Sequence, residues 1–183
     1  MRIITGIYKG RHFEVPRTFK ARPTADVAKD NRWNVLRAYV DFEGTSALDL
    51  FGGTGSITLE LLSRGCRRVV TVEKDRAHFA FIRSCIDKLQ AREAAPLCTD
   101  ALRFIERSSE AFDLVFADPP YALPELPELP ERVLGSRLLR PGGIFVLEHG
   151  KHNDFSAHPD FLEHRAYGSV NFSFFRKIEA GEE

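Results

Sequence analysis

The sequence predicts an α/β fold: a mostly parallel sheet with helices on both faces, closed by an antiparallel hairpin. Three observations carry this. Between Ser46 and Glu148, apolar runs of strand length alternate with stretches of helical periodicity, the pattern of chained βαβ units. The first run leads through Gly52-Gly53-Thr54-Gly55 into a helix, the strand, glycine turn and helix of a nucleotide-handling site. Two last apolar runs, Phe161–Tyr167 and Val170–Phe175, are split at Gly168 and read as a hairpin. With 183 residues and no internal repeat, one domain with a full core is expected. Residues 1–23 read as a basic β-hairpin arm and residues 24–183 as the core.

In the arm, Gly6, Gly10 and Pro16 form turns, while Ile3, Ile7, Phe13 and Val15 offer apolar faces. Arg22-Pro23-Thr24 starts a helix to about Val40, with Thr24 as cap and Asp26 in the first turn, where a negative charge suits the helix dipole. Trp33 in this helix reads as core rather than as a stacking platform. Ser46–Phe51 is the first buried strand, and Ile57, Leu61 and Leu62 mark the helix after the glycines. Glycine there permits a sharp turn and close approach of a ligand, at which the helix points its free N–H groups. Arg67–Glu73 is the second strand and Asp75–Leu89 the next helix; Ala95–Thr99 is the third strand, followed by a helix over Ala101–Arg107. Phe112–Ala117 is the fourth strand. The proline-rich stretch Ala122–Pro130 reads as a lid loop or as the start of a helix through Leu138. Pro141-Gly142-Gly143 is expected to turn, Ile144–Glu148 to form the fifth strand, and His149–His158 to be a polar loop.

Charge is balanced overall but not locally. Residues 1–40 hold nine Lys/Arg against three Asp/Glu, a formal +6 on a chain of net zero. That asymmetry fits a polyanion at this end, or simply a solvated face. Tyr8, Lys9, Arg11 and His12 either meet nucleic acid or form the wet side of the hairpin. Cys66, Cys85 and Cys98 are odd in number and lack CxxC spacing, which fits a reduced, cytoplasmic protein and disfavours a catalytic thiol. Met1-Arg2-Ile3-Ile4-Thr5-Gly6 is no signal peptide, no apolar run approaches membrane-spanning length, and the histidines of the 149–158 loop lack an ordered ligand set, so neither membrane nor metal is expected.

The chemistry-bearing residues fall at strand ends. Glu73 lies 18 residues past Gly55, where an α/β nucleotide site places a carboxylate for the ribose hydroxyls. Asp100 caps the following helix, and in the same place its carboxylate can accept from an adenine amine. Asp118-Pro119-Pro120-Tyr121 is a stiff corner: two prolines fix two φ angles and remove two N–H donors, and the residue before them is held extended. It presents a carboxylate, outward carbonyls and a ring, which suit an exocyclic aromatic amine. Asp118 and a proline carbonyl accept its two N–H groups, while Tyr121 stacks on the base. Acceptors on both hydrogens favour localising the nitrogen lone pair.

Leu48-Asp49-Leu50-Phe51-Gly52-Gly53-Thr54-Gly55, Glu73, Asp100-Ala101 and Asp118-Pro119-Pro120-Tyr121 resemble the S-adenosylmethionine-dependent methyltransferases that act on amino nitrogens. The N-terminal MRIITGIYKGRHFEVP, Arg22-Pro23-Thr24 with Asp26, and the Tyr167-Gly168 hairpin are similar to the bacterial 16S rRNA (guanine(966)-N(2))-methyltransferases. The resemblance spans nearly the whole chain. It implies a Rossmann-like class I methyltransferase sheet and S-adenosyl-L-methionine as cofactor. It also implies a guanine N2 of 16S rRNA as target and favours an assembling 30S subunit as partner. Direct transfer without a covalent enzyme intermediate is the expected mechanism, and a monomer is the default expectation. Asp49, Phe51, Gly53, Gly55, Glu73, Asp100 and Ala101 would bind the cofactor. Asp118, Pro119, Pro120 and Tyr121 would form the catalytic corner. Arg22, Pro23 and Thr24, with Lys9 and Arg11 of the arm, would contact the substrate. Two departures stand out: Gly52 replaces the family's usual alanine, and Val27-Ala28-Lys29-Asp30 replaces Arg-Val-Arg-Glu after Asp26.

Three other readings share parts of this pattern. A dehydrogenase binding NAD needs a small residue where Thr58 stands and gives the Asp-Pro-Pro-Tyr corner no task. An N-methyltransferase of DNA adenine or protein glutamine uses a similar corner, but the sequence holds no separate DNA-recognition domain, and a basic arm suits RNA better than glutamine. A non-catalytic RNA-binding assembly factor would keep the fold and not need the corner.

Overall fold

The computed structural model describes residues 1–19 and 26–178. A seven-stranded sheet in the order β3-β2-β1-β4-β5-β7-β6 forms its centre. The strands are β1 (Ser46–Asp49), β2 (Arg68–Val72), β3 (Ala94–Leu97), β4 (Phe112–Ala117), β5 (Leu139–His149), β6 (Phe161–Tyr167) and β7 (Val170–Arg176). β1 to β5 run parallel, while β7 is antiparallel to both β5 and β6. The helices are α1 (Asp26–Leu36), α2 (Ser56–Ser63), α3 (Arg76–Leu89), α4 (Ala101–Arg107) and α5 (Leu129–Leu134), with a 3-10 turn at Leu126–Glu128 before the last.

Strand residues alternate between two apolar layers because successive side chains point to opposite faces. Ala47, Val69, Leu114, Phe116, Ile144, Val146, Phe172 and Phe174 pack with Trp33 and Leu36 of α1, Leu59 and Leu62 of α2, and Ile82 of α3. Leu48, Val70, Val115, Phe145, Leu147 and Phe175 pack with Ile105 of α4 and Leu129 and Val133 of α5. A parallel sheet covered on both faces explains why its strands read as apolar runs rather than as alternating ones.

Several local expectations change. α1 ends at Leu36 rather than near Val40, and α5 at Leu134 rather than Leu138. Pro141-Gly142-Gly143 is not a free turn but lies inside β5. Leu139 pairs with Phe112 and Ile144 with Leu114, so residues 140–143 form a bulge, with Gly142 at φ +79°. The polar stretch expected from His149 begins one residue later, because His149 ends β5 and is fully buried, hydrogen-bonded to Ser173 Oγ at 2.7 Å.

The N-terminal arm is hairpin-shaped but, among the described residues, holds only one β-bridge, Arg2 with His12. Its polar groups go to α2 instead. Ile4 and Thr5 N–H donate to the Glu60 carboxylate at 2.9 and 3.0 Å, Ile7 N–H to Ser63 O at 2.9 Å, and Tyr8 N–H to Ser63 Oγ at 3.0 Å. Gly6 permits the docking: its φ is +94°, and a Cβ there would lie 1.9 Å from Ser63 O. Among the described residues no helix is long and apolar enough to cross a membrane.

Gly6→Ala is expected to release this loop, at a cost of about 1–3 kcal/mol for the strained backbone. Amide exchange at Ile4, Thr5, Ile7 and Tyr8 should then rise while the sheet amides stay protected; unchanged exchange there would show that the loop is held some other way.

Candidate functional site

Five parallel strands each run into an acidic residue at their carboxyl end: Asp49 from β1, Glu73 from β2, Asp100 from β3, Asp118 from β4 and Glu148 from β5. Strand order reverses between β1 and β4, and open α/β sheets bind ligands in the crevice at such a switch point. Asp49 and Asp118 flank it.

The turn after β1 is shaped by glycine. Gly53 has φ +56° and Gly55 φ +86°, conformations that side chains disfavour. A Cβ on Gly53 would meet only Phe51 O, at 4.0 Å, so that face is open. Gly52 differs: a Cβ there would come within 2.8 Å of Thr71 Cγ2 and 2.9 Å of Ile82 Cδ1. Ile82 fills the space that an alanine would occupy. Glu73 stands beside the turn and accepts from Gly53 N–H and Asp75 N–H, each at 3.1 Å. Asp100 Oδ1 accepts from Arg103 N–H at 3.1 Å, capping α4. Asp49 is fully buried; Thr58 Oγ1 of α2 donates to its Oδ2 at 2.8 Å, and its Oδ1 has no partner among the described residues. Burial pushes the Asp49 carboxyl up to about 8; the Thr58 hydrogen bond opposes this, and the nearby charges of Asp118 and Glu73 reinforce it.

Asp118 belongs to a second, connected cluster. Arg32 of α1 and Glu148 are 2% and 4% exposed, and Arg32 Nη1 lies 3.8 Å from Glu148 Oε2. The guanidinium is wrapped by the rings of Phe116, Phe172 and Trp33, with centroids at 5.1, 5.4 and 5.6 Å. Asp118 and Glu148 are neighbours whose titrations influence each other. Burial raises both; the neighbouring Glu148 and the charge of Arg32 hold Asp118 back, whereas Asp118 drives Glu148 further up, to about 9. Tyr121 is 49% exposed. Its hydroxyl donates to Glu148 Oε1 at 3.4 Å, and its ring lies against Gly150.

The sequence-expected residues thus fall into three groups. Asp49, Phe51, Gly53, Gly55, Glu73, Asp100, Ala101, Asp118, Pro119, Pro120 and Tyr121 all lie along the carboxyl edge of the sheet. Arg22, Pro23 and Thr24 lie outside the described residues. Lys9 and Arg11 are not brought to this edge. Their loop is docked on Ser63, the last residue of α2, and Arg11 Nη2 bonds Lys88 O near the end of α3 at 3.4 Å. α2 and α3 start at the carboxyl edge and run about 12 and 21 Å away from it. Arg32, counted within the basic end of the chain, is buried and offers no surface charge.

Arg32, Glu148 and Thr58 were not expected at the site. Glu148 carries the signal that marks Glu73 and Asp100, an acid at a strand's carboxyl end. Arg32 stands at helical spacing between Ala28 and Leu36, so a cation sits inside the apolar stripe of α1.

A profile of the family described as Conserved hypothetical protein 95 matches residues 1–176. A protein of Bacillus subtilis (strain 168) named "Putative rRNA methyltransferase YlbH" is 30% identical over 155 residues, 82% of this chain and 83% of its own length. The Escherichia coli (strain K12) protein "Ribosomal RNA small subunit methyltransferase D" is 27% identical over 185 aligned positions, 100% of this chain and 92% of its own. Among solved structures, "Putative methyltransferase yhhF from Escherichia coli" aligns with a TM-score of 0.86 at 25% identity, covering 98% of this chain and 99% of that one.

A carboxyl with a raised pKa binds its proton more tightly in the folded state, so stability falls as pH rises between the unfolded and folded values. For Asp49 that window runs from 3.8 to about 8. Urea unfolding across it should show Asp49→Asn gaining stability relative to the parent protein as pH rises, by on the order of a few kcal/mol in all. A difference independent of pH would contradict a proton held at Asp49.

Proposed function

Because the chain belongs to the family described as Conserved hypothetical protein 95, we propose that it is an S-adenosyl-L-methionine-dependent methyltransferase acting on 16S ribosomal RNA at the exocyclic N2 amine of a guanine, guanine 966. The fold is the Rossmann-like sheet of class I methyltransferases. Near-full-length relatives named as small-subunit rRNA methyltransferases support RNA over DNA or protein as the substrate. An assembling 30S particle is the proposed form of that substrate and a monomer the working form.

The observation that carries the reading is the Asp118-Pro119-Pro120-Tyr121 corner, set beside Asp49 and the glycine turn at the switch point. The cofactor fits this edge on three counts. Asp49 Oδ1 is buried without a partner among the described residues, Gly53 leaves an open face, and Glu73 uses two protein N–H groups of roughly four lone-pair positions on a carboxylate. In this reading Asp49, Phe51, Gly53 and Gly55 hold the methionine part, Glu73 the ribose hydroxyls, and Asp100 with Ala101 the adenine. When bound, the cofactor supplies a methyl group on a cationic sulfur.

The chain's own residues act on the target base. Asp118 and the Pro119 carbonyl accept the two N–H groups of the amine, which aims its lone pair. Tyr121, half exposed on the corner, stacks on the ring. A guanine paired in its helix must leave the stack, at a cost of a few kcal/mol, roughly. Orientation of the reactants can lower the barrier by about 7–11 kcal/mol. Lys9 and Arg11, at the far ends of α2 and α3, have no part in the base pocket.

Tritiated methyl transfer to 16S rRNA, 30S particles, DNA and protein, assayed side by side, tests the substrate, with the labelled nucleotide then mapped. Label confined to DNA or protein would overturn the RNA assignment. Asp118→Ala should leave RNA binding intact and lower kcat/KM by about 10²–10³-fold, as for loss of one preorganised polar group; undiminished transfer would remove Asp118 from the mechanism.

A further inference from the structure

We propose that Thr58 of α2 and Thr71 of β2 are positioning residues for Asp49: their two hydroxyls form a chain that holds Oδ2 and leaves Oδ1 for the cofactor. The inference rests on the role given to Asp49 above. Three elements build the chain. Asp49 and Thr71 are paired across β1 and β2, and like Ala47 and Val69, two residues before them, they point to the face that α2 covers. Thr58 reaches both from the helix: its Oγ1 is 2.8 Å from Asp49 Oδ2 and 2.6 Å from Thr71 Oγ1. Gly52 makes room beside them. A Cβ there would come within 2.8 Å of Thr71 Cγ2, so glycine lets the Thr71 methyl fill that side while its hydroxyl faces Thr58.

All three residues are buried, in the apolar layer of Leu59, Val69 and Ile82. Valine would fill the space of threonine in such a layer, and a hydroxyl there costs stability unless it is hydrogen-bonded. Among the described residues neither threonine hydroxyl has another partner. The polar chemistry of the pair is directed at Asp49 alone.

Each hydroxyl has a single hydrogen, which fixes the direction of the chain. When Asp49 is anionic, Thr58 donates to Oδ2 and Thr71 donates to Thr58, so both hydrogens are used. When Asp49 carries a proton on Oδ2, the chain reverses and the Thr71 hydrogen loses its acceptor. With the proton on Oδ1 it is that proton which lacks one, because Oδ1 has no partner among the described residues. The chain therefore favours the anion and works against burial. The charged groups that act on Asp49 are Asp118 after β4 and Glu73 after β2, which oppose its ionisation, and Arg32 of α1, which supports it. Thr58 and Thr71 ready the carboxylate for a cationic ligand without adding a positive charge that would repel it.

The test uses the full chain, first without ligand. Carbon-13 titration of the Asp49 side-chain carboxyl, assigned with Asp49→Asn, reads the chain directly. Thr58→Val should raise the midpoint by about one pH unit, the low end for losing a hydrogen bond to a charged group. Calorimetric titration with S-adenosylmethionine at neutral pH should then show about 10-fold weaker binding, since each pH unit on a carboxyl that must ionise is a factor of roughly ten. Thr58→Ser keeps the hydroxyl and should restore both readings to those of the parent protein. Thr71→Val should raise the midpoint less than Thr58→Val does, and the double variant should match Thr58→Val, because Thr71 acts only through Thr58. An unmoved midpoint in Thr58→Val, Thr58→Ser as impaired as Thr58→Val, or additive effects of the two Thr→Val changes would each overturn the proposal. If Thr58→Val fails to fold, Thr71→Val decides alone, and an unmoved midpoint there overturns it equally. If the parent protein binds no S-adenosylmethionine, the functional reading fails while the carboxyl titration still judges the chain of hydroxyls.

Discussion

Asp49, Asp118 and Glu148 gather at the carboxyl edge of one sheet with Arg32 as the buried cation beside them, and among the described residues the charges of this group do not balance. Removing an ion from water costs several kcal/mol even after relaxation, roughly. Burial accordingly pushes these carboxyls above their ordinary values, Asp49 to about 8 and Glu148 to about 9. Alternation along the strands makes the cluster possible: Asp49, Asp118 and Glu148 follow Ala47, Phe116 and Val146 by two residues and share their face. α1 then lays Arg32 against Phe116 and Phe172 of that face, and α2 brings Thr58 to Asp49.

Glu60 shows what a purely structural buried acid looks like in the same protein. It is 3% exposed, and its oxygens accept from Ile4 N–H, Thr5 N–H and Arg64 Nε. The first two interactions hold the N-terminal loop on α2, and the third ties Glu60 to Arg64 at the end of the same helix. Asp49 has the opposite profile, one hydroxyl donor and one oxygen left without a partner among the described residues. Natural folds leave few buried polar atoms in that condition, and those that persist call for a functional reason. A ligand bearing positive charge supplies such a reason, and it bears on the open face of Gly53 beside it.

Much of this was legible in the sequence where the signal is local. Phe112–Ala117 and Ala101–Arg107 appear with the bounds expected of them, because a β-rich apolar run and an Asp cap declare themselves within a few residues. The glycine turn and the acids at β1 to β4 were legible for the same reason. Features set by distant partners were not. The arm alternates like a hairpin, yet its donors are satisfied by Glu60 and Ser63, more than fifty residues on. Pro141-Gly142-Gly143 has the chemistry of a turn, but pairing with β4 on both sides absorbs it as a bulge. Arg32 looked like one more basic residue because only the packed rings of Phe116 and Phe172 turn it inward. Lys9 and Arg11 carry charge suited to RNA, but the docking of their loop on α2 sets them away from the carboxyl edge.

Calorimetric titration of the protein with S-adenosylmethionine, repeated at neutral pH in two buffers of different ionisation enthalpy, tests the charge imbalance most directly. Binding should release protons as the positive ligand draws Asp49 toward its anionic form, and Asp49→Asn should bind with less release. Absence of binding, or binding with no proton released from the parent protein, would contradict a site built from buried carboxyls that await a cation.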